Sequence, residues 1–350
     1  MPFFCQLSRQ GLAKRELRMS INTSPDSHLT RGYAIALASA AILSTTAVFI
    51  RHLTQAYGMP VLVLALWRDV FATLTLSLVL ARLRPSLLRA EPQHLLYLVF
   101  YGVVFAVFNA LWTLSVSLNG AALATVLVYC SVAFTALLGA WLLKERLGWV
   151  KLLAIAFSLA GCTLVSGALN SAARNVYIVG ILAGILSGLC YALYSLMGRS
   201  AWQRGLDPWT TLLYTMGSAS VFLLLVNLVP GEFLPGAAVQ AADLFVLGGA
   251  LFGWSLLFLL AAGPTVLGFG LYNVSLAYLP SSVANLILTL EPVFTAAIAY
   301  LLLGERLTGT QLIGSLMILA GVASLRAYES FAADPTRARS RRSDGTATTN

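Results

Sequence analysis

Apolar runs of spanning length recur along the whole chain, and they restrict its fold more than any other feature. A helix needs about 20 consecutive apolar residues to cross a bilayer core. The chain is 59% hydrophobic and 10% charged, with a mean hydropathy of +0.83, more apolar than a soluble domain requires. The sequence therefore predicts an all-α integral membrane protein with about ten transmembrane helices. The predicted spans are 32–50, 61–81, 95–118, 121–143, 150–168, 177–198, 209–229, 254–278, 283–303 and 309–325.

The second half of the chain repeats the first. Residues 111–161 align without a gap on residues 271–321, with about fifteen identities. The clearest copies are AFTALLGAWLLKERL near position 134 and VFTAAIAYLLLGERL near position 294. With five spans in each half, the two copies have opposite orientations in the membrane. Such inverted five-helix repeats are typical of transporters that open alternately to either side of a central site.

Basic residues indicate which ends of the spans face the cytoplasm. With the N-terminus inside, about eighteen Lys and Arg residues fall in cytoplasmic segments and three in external ones, a strong positive-inside bias. The external three are Arg51, Arg174 and Arg306. We therefore expect a multi-pass protein of the inner (cytoplasmic) membrane with both termini in the cytoplasm. Residues 244–253 are apolar but too short for a further span, and are interpreted as interfacial or re-entrant.

Both ends of the chain are polar and basic. We interpret residues 1–31 as a disordered cytoplasmic arm without the features of a signal peptide, and residues 326–350 as a disordered basic cytoplasmic tail. The tail has four arginines without interleaved aromatic residues, which is a weak signal for binding nucleic acid or anionic lipid, so we interpret it as a topogenic and solvated segment and expect no nucleic acid as a partner.

Two helix-end signatures resemble a known family. They are LLKERL at 142–147 and LLGERL at 302–307, accompanied by Glu291-Pro292, by Ala-Gly at 160–161 and 320–321, and by Arg68. On these residues the chain resembles the EamA-like ten-helix family of the drug/metabolite transporter superfamily. The resemblance implies one repeat over 32–168, a second over 177–325, and transport of amino acids, their derivatives or other small metabolites. The first copy departs from the second where Ser131-Val132 replaces Glu291-Pro292.

Three charged residues lie well inside apolar spans: Arg68, Asp69 and Glu291. A charge at this depth is expensive unless it faces a cavity or a partner. For Arg68 two readings stay open, a fixed cation that receives a substrate carboxylate or phosphate, and a structural ion pair. Neighbouring helix positions point about 100° apart, so we expect Asp69 to be a poor partner for Arg68, and Asp69 to be structural.

Glu291 precedes a proline in the ninth predicted span. Proline removes a backbone donor, so we predict a bent helix with a carboxylate at the bend. Glu291 is a candidate cavity residue and a candidate site of proton coupling. The alternative is a carboxylate permanently satisfied by backbone donors or by Arg68.

Polar and aromatic residues on several spans could complete a binding pocket, because such pockets are mostly apolar with a few placed polar groups. Any single one of them is more often a packing residue or an interface anchor. The predicted cavity-lining set is Arg68, Asn109, Trp112, Tyr129, Tyr191, Tyr194, Tyr272, Asn273, Asn285 and Glu291.

Glycine and proline mark two further features. Gly263, Pro264 and Gly268 interrupt the eighth span and, with Pro292, are the predicted hinge. Gly180, Gly184 and Gly188 form a small-residue stripe on the sixth span, which permits close helix approach. The Glu-Arg pairs at 145–146 and 305–306 are expected to cap helix ends and fix the turn into the next span, with gating salt bridges as the alternative.

The function predicted from these features is secondary transport, with efflux of amino acids or related metabolites by alternating access as the first hypothesis. An organic-anion, nucleotide-sugar or phosphate exchanger is the first alternative, and it should carry several intramembrane basic residues. A membrane-embedded enzyme or a non-transporting scaffold is the alternative of another class. No catalytic cluster, P-loop or metal motif is found in the sequence, so no enzyme activity, cofactor or metal is expected. The expected partners are a small-molecule substrate, lipid and protons as coupling ion, in a monomer or homodimer.

Overall fold

The computed structural model describes residues 25–142, 148–165, 174–229, 236–275, 278, 287–288 and 290–332. Every regular element in these segments is a helix. The α-helices of the first half are α1 (Pro25–Leu43), α2 (Thr45–Ala56), α3 (Val61–Leu83), α4 (Pro92–Asn119), α5 (Ala121–Val128), α6 (Ser131–Leu142) and α7 (Trp149–Val165). Those of the second half are α8 (Arg174–Gln203), α9 (Pro208–Asn227), α10 (Leu251–Leu260), α11 (Phe269–Ser275), α12 (Glu291–Leu303) and α13 (Gly309–Ala332).

Six helical stretches within the described segments are long and apolar enough to cross a membrane. They are Thr30–Ala56, Val61–Leu83, Pro92–Asn119, Ile178–Gly198, Pro208–Asn227 and Leu251–Tyr272, and three shorter apolar helices accompany them. Large apolar side chains lie on the outside of the bundle, among them Leu96 and Leu301, which are 83% and 76% exposed. Such a surface suits lipid and not water. The protein is therefore a multi-pass helical membrane protein, and the total of ten spans remains a prediction.

The ends of the bundle differ from the predicted boundaries. Helix α1 begins at Pro25, inside the segment interpreted as a disordered arm, and α13 continues to Ala332, inside the predicted tail. Residues 1–24 and 333–350 lie outside the described segments.

The segment before α10 lies across the end of α3. A short 3-10 helix, Ala241–Phe245, leads through turns to the start of α10 at Leu251. The indole Nε1 of Trp67 in α3 donates to the carbonyl of Leu244 at 2.7 Å. The amide of Leu62, at the first turn of α3, donates to the carbonyl of Gly236 at 2.8 Å. The segment thus meets α3 in its first two turns, and the interfacial or re-entrant character of residues 244–253 remains a prediction.

The glycine stripe of α8 is a contact surface, as predicted. A Cβ on Gly184 would lie 2.7 Å from Ser115 Oγ and 2.8 Å from Leu127 Cδ1, and one on Gly180 would lie 2.6 Å from Asn119 Oδ1. Only glycine allows α8 to approach α4 and α5 this closely. The stripe therefore serves packing within the bundle.

Equivalent glycines of the two repeats join α7 to α13. A Cβ on Gly161 would lie 2.6 Å from the carbonyl of Gly314, and one on Gly321 would lie 3.1 Å from the carbonyl of Ala154. The alignment of the repeat places Gly161 on Gly321. The last described helix of the first half thus packs against its own counterpart in the second.

Glu305 caps a helix, but not the one that precedes it. The turn after α12 is made by Gly304, whose φ of 67° is left-handed. The Glu305 carboxylate instead accepts from the amides of Ala121 and Ala122 at 3.1 and 3.3 Å, which are the first residues of α5. Our prediction that the pair fixes its own turn was therefore wrong for Glu305, because glycine supplies that turn. The other pair, at 145–146, lies outside the described residues.

Candidate functional site

A cavity lies in the middle of the bundle, where broken helices meet. Its volume is about 120 Å³, below the roughly 300–1,000 Å³ typical of pockets for drug-sized ligands. It is lined by Leu43, Thr46, Arg68, Phe105, Phe108, Asn109, Trp112, Val128, Tyr129, Ser131, Tyr191, Thr265, Phe269, Leu288, Glu291 and Val322. A small metabolite fits such a volume better than a nucleotide sugar does.

Arg68 enters the cavity wall from α3 together with a buried carboxylate. The Arg68 Nε lies 3.6 Å from Asp69 Oδ1, and the two residues are 2% and 0% exposed. The two charges therefore lie close together, but the contact is long and Nε makes no hydrogen bond among the described residues. This geometry agrees with the expectation that neighbouring helix positions pair poorly.

Asn109 of α4 completes this cluster. Its Nδ2 lies 2.9 Å from each of the two Asp69 carboxylate oxygens. One side of the Asn109 amide is therefore occupied by Asp69, although the residue also lines the cavity. The cluster joins α3 to α4 and holds the arginine beside the cavity.

An aromatic wall faces the arginine. The Trp112 ring centroid lies 5.7 Å from Arg68 Cζ, a cation–π distance. The Phe108 ring is 6.3 Å from Trp112 and 5.3 Å from Tyr191. Within the described residues, the indole Nε1 of Trp112 and the Nε of Arg68 are buried donors without a hydrogen-bond partner. The wall thus places aromatic, mostly apolar surface beside the cation.

Glu291 borders the cavity from α12. The hydroxyl of Tyr129 lies 3.1 Å from Glu291 Oε2 and donates to the carbonyl of Leu288 at 2.7 Å. Arg68 and Glu291 both line the cavity, yet no ion pair joins these two described residues, whose charged atoms pair no closer than 4 Å. The cavity therefore has one cationic and one acidic side chain that do not neutralise each other directly.

The helix at Glu291 begins there and is not bent there. Pro292 lies in the first turn of α12, where its missing N–H removes no helical bond. The first copy of the repeat restarts at the equivalent residue, Ser131, without a proline. Our prediction of a proline bend was therefore wrong, and the interruption belongs to both copies. The carboxylate in a first turn is favourably placed toward the positive end of the helix dipole.

A third break separates α1 from α2. Three consecutive hydroxyls, on Ser44, Thr45 and Thr46, donate to the carbonyls three residues earlier at 2.6–2.7 Å, a pattern that bends helices. The hydroxyl of Thr295 in α12 donates to the carbonyl of Ser44 at 3.0 Å. Irregular backbone inside a membrane is tolerated where it lines a cavity or has such partners.

The predicted hinge in the eighth span is an irregular helix. Residues Ala261–Gly268 form a π-helix that contains Pro264, between α10 and α11. Thr265 lines the cavity and its hydroxyl donates to the carbonyl of Leu260 at 3.0 Å, five residues back. A Cβ on Gly268 would lie 2.7 Å from Leu43 Cδ2, so this glycine also permits contact with α1. Motion at Gly263, Pro264 and Gly268 remains a prediction.

Six residues of the predicted set line this one cavity: Arg68, Asn109, Trp112, Tyr129, Tyr191 and Glu291. Tyr194 lies behind the wall, with its ring 5.2 Å from Phe105. Tyr272 is not among the lining residues and packs near Ala36. Asn273 is in α11, but its side chain, like the whole of Asn285, lies outside what the structure describes.

Several lining residues were not predicted. Phe105 and Phe108 share a helical face with Asn109 and Trp112, a spacing that the sequence could have indicated. Leu43 and Thr46 line the cavity on either side of the break at which α1 ends. The sequence signal of that break is the run of hydroxyl residues at 44–46.

The fold and cavity define a class: a multi-pass helical membrane protein with a small, internal, mostly apolar cavity that is bordered by one cationic and one acidic side chain. A profile of the EamA-like transporter family matches residues 30–167 and again residues 178–326. The chain belongs to this family, within the drug/metabolite transporter superfamily, and is therefore grouped with transporters and not with enzymes.

Similar proteins are named as transporters. An uncharacterized transporter of Archaeoglobus fulgidus is 29% identical over 297 residues, covering 83% of this chain and 94% of that protein. The threonine/homoserine exporter RhtA of Salmonella typhimurium is 28% identical, covering 69% and 75%. A probable amino-acid metabolite efflux pump of the same species is 30% identical, covering 58% and 66%. A protein of known crystal structure matches 85% of this chain and 98% of its own, with a TM-score of 0.55 and 18% identity, which supports the fold alone.

Proposed function

We propose that the protein is a secondary carrier that exports amino acids or closely related small metabolites by alternating access. The observation that carries the proposal is the central cavity, which is bordered by Arg68 and Glu291 without a direct pair between them. An amino acid presents a carboxylate and an ammonium group, so it complements both charges. The names of the relatives, an exporter of threonine and homoserine and an amino-acid metabolite efflux pump, favour the same substrate class.

Arg68 is the proposed receptor of the substrate's carboxylate. A guanidinium binds a carboxylate through two parallel N–H donors, and the Trp112 ring, whose centroid is 5.7 Å from Arg68 Cζ, lies beside this cation. Phe105, Phe108 and Tyr191 would contact the apolar part of the substrate. In this proposal three residues support the charged and aromatic side chains of the cavity: Asn109, Tyr129 and Tyr194.

Glu291 is the proposed second charged contact and the proposed site of proton coupling. It is the acidic side chain among the described lining residues. If the substrate and a proton bind to Glu291 alternately, each displaces the other. The entry of a proton then drives the exit of a substrate molecule. The predicted hinge at Gly263, Pro264 and Gly268 would allow the cavity to open to either side.

The proposed architecture has ten spans in two inverted five-helix repeats, 32–168 and 177–325, with both termini cytoplasmic. The two matches to one family profile and the equivalent helix starts at Ser131 and Glu291 support the duplication. The positive-inside bias supports the orientation. A monomer or a homodimer is compatible with this proposal.

Efflux from reconstituted vesicles tests the function. Proteoliposomes are loaded with the twenty protein amino acids, and the loss of each is followed with and without an imposed proton gradient. We expect one or a few amino acids to leave faster than from protein-free vesicles, and faster with protons entering. Failure of every solute to move would contradict transport and would favour the scaffold alternative.

A substitution separates proton coupling from transport itself. Glu291→Gln keeps the size of the side chain and its oxygen for Tyr129, but it cannot ionise. We expect its residual efflux to be insensitive to the proton gradient. If Glu291→Gln still responded to the gradient as the wild type does, Glu291 would not be the coupling residue. Ser131→Ala, at the equivalent position of the first repeat, is the matched control and should keep the response.

A further inference from the structure

We propose that Asp69 is a positioning residue, which holds Arg68 by its stem nitrogen so that the terminal guanidinium nitrogens remain available to a substrate. The inference rests on the proposed function of Arg68. Asp69 is fully buried and is not among the residues that line the cavity. It therefore acts on the substrate through its neighbour.

The geometry of the pair is not that of a stabilising salt bridge. A strong arginine–carboxylate pair forms two parallel hydrogen bonds of about 2.7–2.9 Å. Here one carboxylate oxygen lies 3.6 Å from Nε, and that Nε has no hydrogen-bond partner among the described residues. No hydrogen bond or ion pair engages the terminal nitrogens of Arg68 within the described part of the chain. Buried pairs of imperfect geometry contribute little to stability, so another reason for this arrangement is needed.

Asn109 fixes the carboxylate and not the arginine. Its amide nitrogen lies at hydrogen-bond distance from both Asp69 oxygens, which ties the carboxylate to α4. The negative charge beside the stem offsets part of the cost of a buried cation, while the terminal nitrogens keep their hydrogen-bonding capacity. The charge of Arg68 is therefore stabilised, while its terminal nitrogens remain free to bind a substrate.

Double-mutant analysis distinguishes positioning from a structural role. Asp69→Asn keeps the shape and loses the charge, and transport of L-threonine and of L-threoninamide, which lacks the carboxylate, is measured in proteoliposomes. We expect the KM for L-threonine to rise about tenfold or more, and the KM for the amide to change little. On an Arg68→Ala background, Asp69→Asn should have no further effect on either KM.

A neighbouring control separates folding from recognition. Thr73, one turn further along α3, donates its hydroxyl to the carbonyl of Asp69 at 2.7 Å. Thr73→Val alters the same turn without touching Arg68, and we expect an unchanged KM. Additive effects of Arg68→Ala and Asp69→Asn, or equal losses for threonine and its amide, would overturn the inference. Failure of wild-type protein to move any of the twenty amino acids would instead overturn the proposed function.

A separate set of contacts lies between the cavity and one end of the bundle, and we infer that it is a latch closing that end. Arg51 Nε lies 3.3 Å from Glu305 Oε1, while Arg51 Nη1 donates to the carbonyl of Ser117 at the end of α4. The Glu305 carboxylate meanwhile accepts from the first amides of α5. The latch is defined as Arg51, Glu305 and the α4–α5 junction at Gly120.

The position of the latch follows from the helices that carry it. On α2, Arg51 lies five residues beyond the cavity residue Thr46, and on α4, Ser117 lies five beyond Trp112, about 7.5 Å along each helix axis. Glu305 follows α12, whose first residue, Glu291, also lines the cavity. The latch therefore bridges elements of both halves beyond the cavity, on the side that the charge pattern predicts to be external.

Gly120 makes room for this contact. Its φ is +90°, and a Cβ there would lie 2.8 Å from both carboxylate oxygens of Glu305. A side chain at this position would push the carboxylate away. The junction is thus shaped around a residue 185 positions later in the sequence, as expected if the contact between the halves has a purpose in the transport cycle.

Side-specific labelling tests the latch. Thr46→Cys is introduced into a variant in which the four native cysteines are replaced by Ala. A membrane-impermeant maleimide is then applied to right-side-out vesicles and to inside-out vesicles. We expect the introduced thiol to be labelled faster in inside-out vesicles, where the maleimide is on the cytoplasmic side. Glu305→Gln and Gly120→Ala should each raise external labelling severalfold, and together no more than either alone. Arg306→Gln, which removes a neighbouring charge outside the latch, is the control.

The outcomes separate the latch from the proposed transport. External labelling that is already fast, or that is unchanged in both latch variants, would overturn the latch while efflux persists. Loss of efflux in every protein, including the wild type, would count against the proposed function.

Discussion

The hydroxyl of Tyr129 bridges the two interrupted spans: it lies 2.7 Å from the carbonyl oxygen of Leu288 and 3.1 Å from Glu291 Oε2. Tyr129 follows α5 of the first repeat, whereas Leu288 and Glu291 belong to the second. One side chain thus connects the irregular backbone of both copies at the cavity.

We expect Tyr129→Phe to lower the free energy of unfolding by about 1–2 kcal/mol, because the partly buried Leu288 carbonyl loses this donor. SDS unfolding in mixed micelles measures the change. Tyr328→Phe removes a hydroxyl from a tyrosine that is 48% exposed and should leave the unfolding curve unchanged. Equal stability of the two variants would show that the bridge contributes nothing.

Arg68→Lys should raise the KM for a transported amino acid at least tenfold, while the amount of folded protein stays close to that of the wild type. Lysine keeps the charge but loses the planar pair of donors that fits a carboxylate. Concentration-dependent uptake into proteoliposomes gives the KM. Arg306→Lys, near Tyr300 and outside the cavity, is the matched control. An unchanged KM in Arg68→Lys would exclude bidentate binding.

Gly184→Ala should destabilise the protein by about 1–3 kcal/mol, because the added methyl group overlaps Ser115 and Leu127 and forces α8 away from α4 and α5. Gly217→Ala is the control, since the nearest atom to its Cβ is 3.6 Å away, and alanine is the better helix former. Thermal unfolding in detergent distinguishes them. The contact would be unimportant if both variants melted at the same temperature.

Thr295→Val should cost about 1 kcal/mol, since it removes the donor to the Ser44 carbonyl at the break between α1 and α2. Thr125→Val is a fair comparison, because that hydroxyl bonds to a carbonyl of its own helix, which also accepts a backbone bond. We expect a smaller loss there. A larger loss in Thr125→Val, again by SDS unfolding, would contradict the importance of the break.

The sequence predicted features that depend on composition and local pattern. Six of the apolar runs coincide with helices of spanning length in the described residues, and the small-residue stripe correctly indicated where α8 packs closely. Intramembrane charge drew attention to Arg68 and Glu291, because charge inside an apolar run is rarely accidental, and both residues line the cavity.

Features that depend on tertiary partners were not predictable in the same way. The break at Ser44 is stabilised by Thr295, which lies 251 residues away, and the carboxylate of Glu305 is held by amides 183 and 184 residues earlier. Pro292 was misleading for a related reason, since its local effect explains a helix start as readily as a bend. The equivalent start at Ser131 has no proline, so the shared fold of the repeat and not the residue determines the interruption.

The close packing of α7 against α13 at Gly161 and at Gly321 has a consequence for how a chain with an internal sequence repeat assembles. Because α7 and α13 are corresponding helices, each offers the other the same glycine face, as two identical subunits do across a twofold axis. A half-length chain carrying one copy would meet its partner through that same surface. The α7–α13 interface thus has the form of a homodimer interface whose two halves are covalently linked. Because the two faces belong to different parts of one chain, each can change by single substitutions independently of the other.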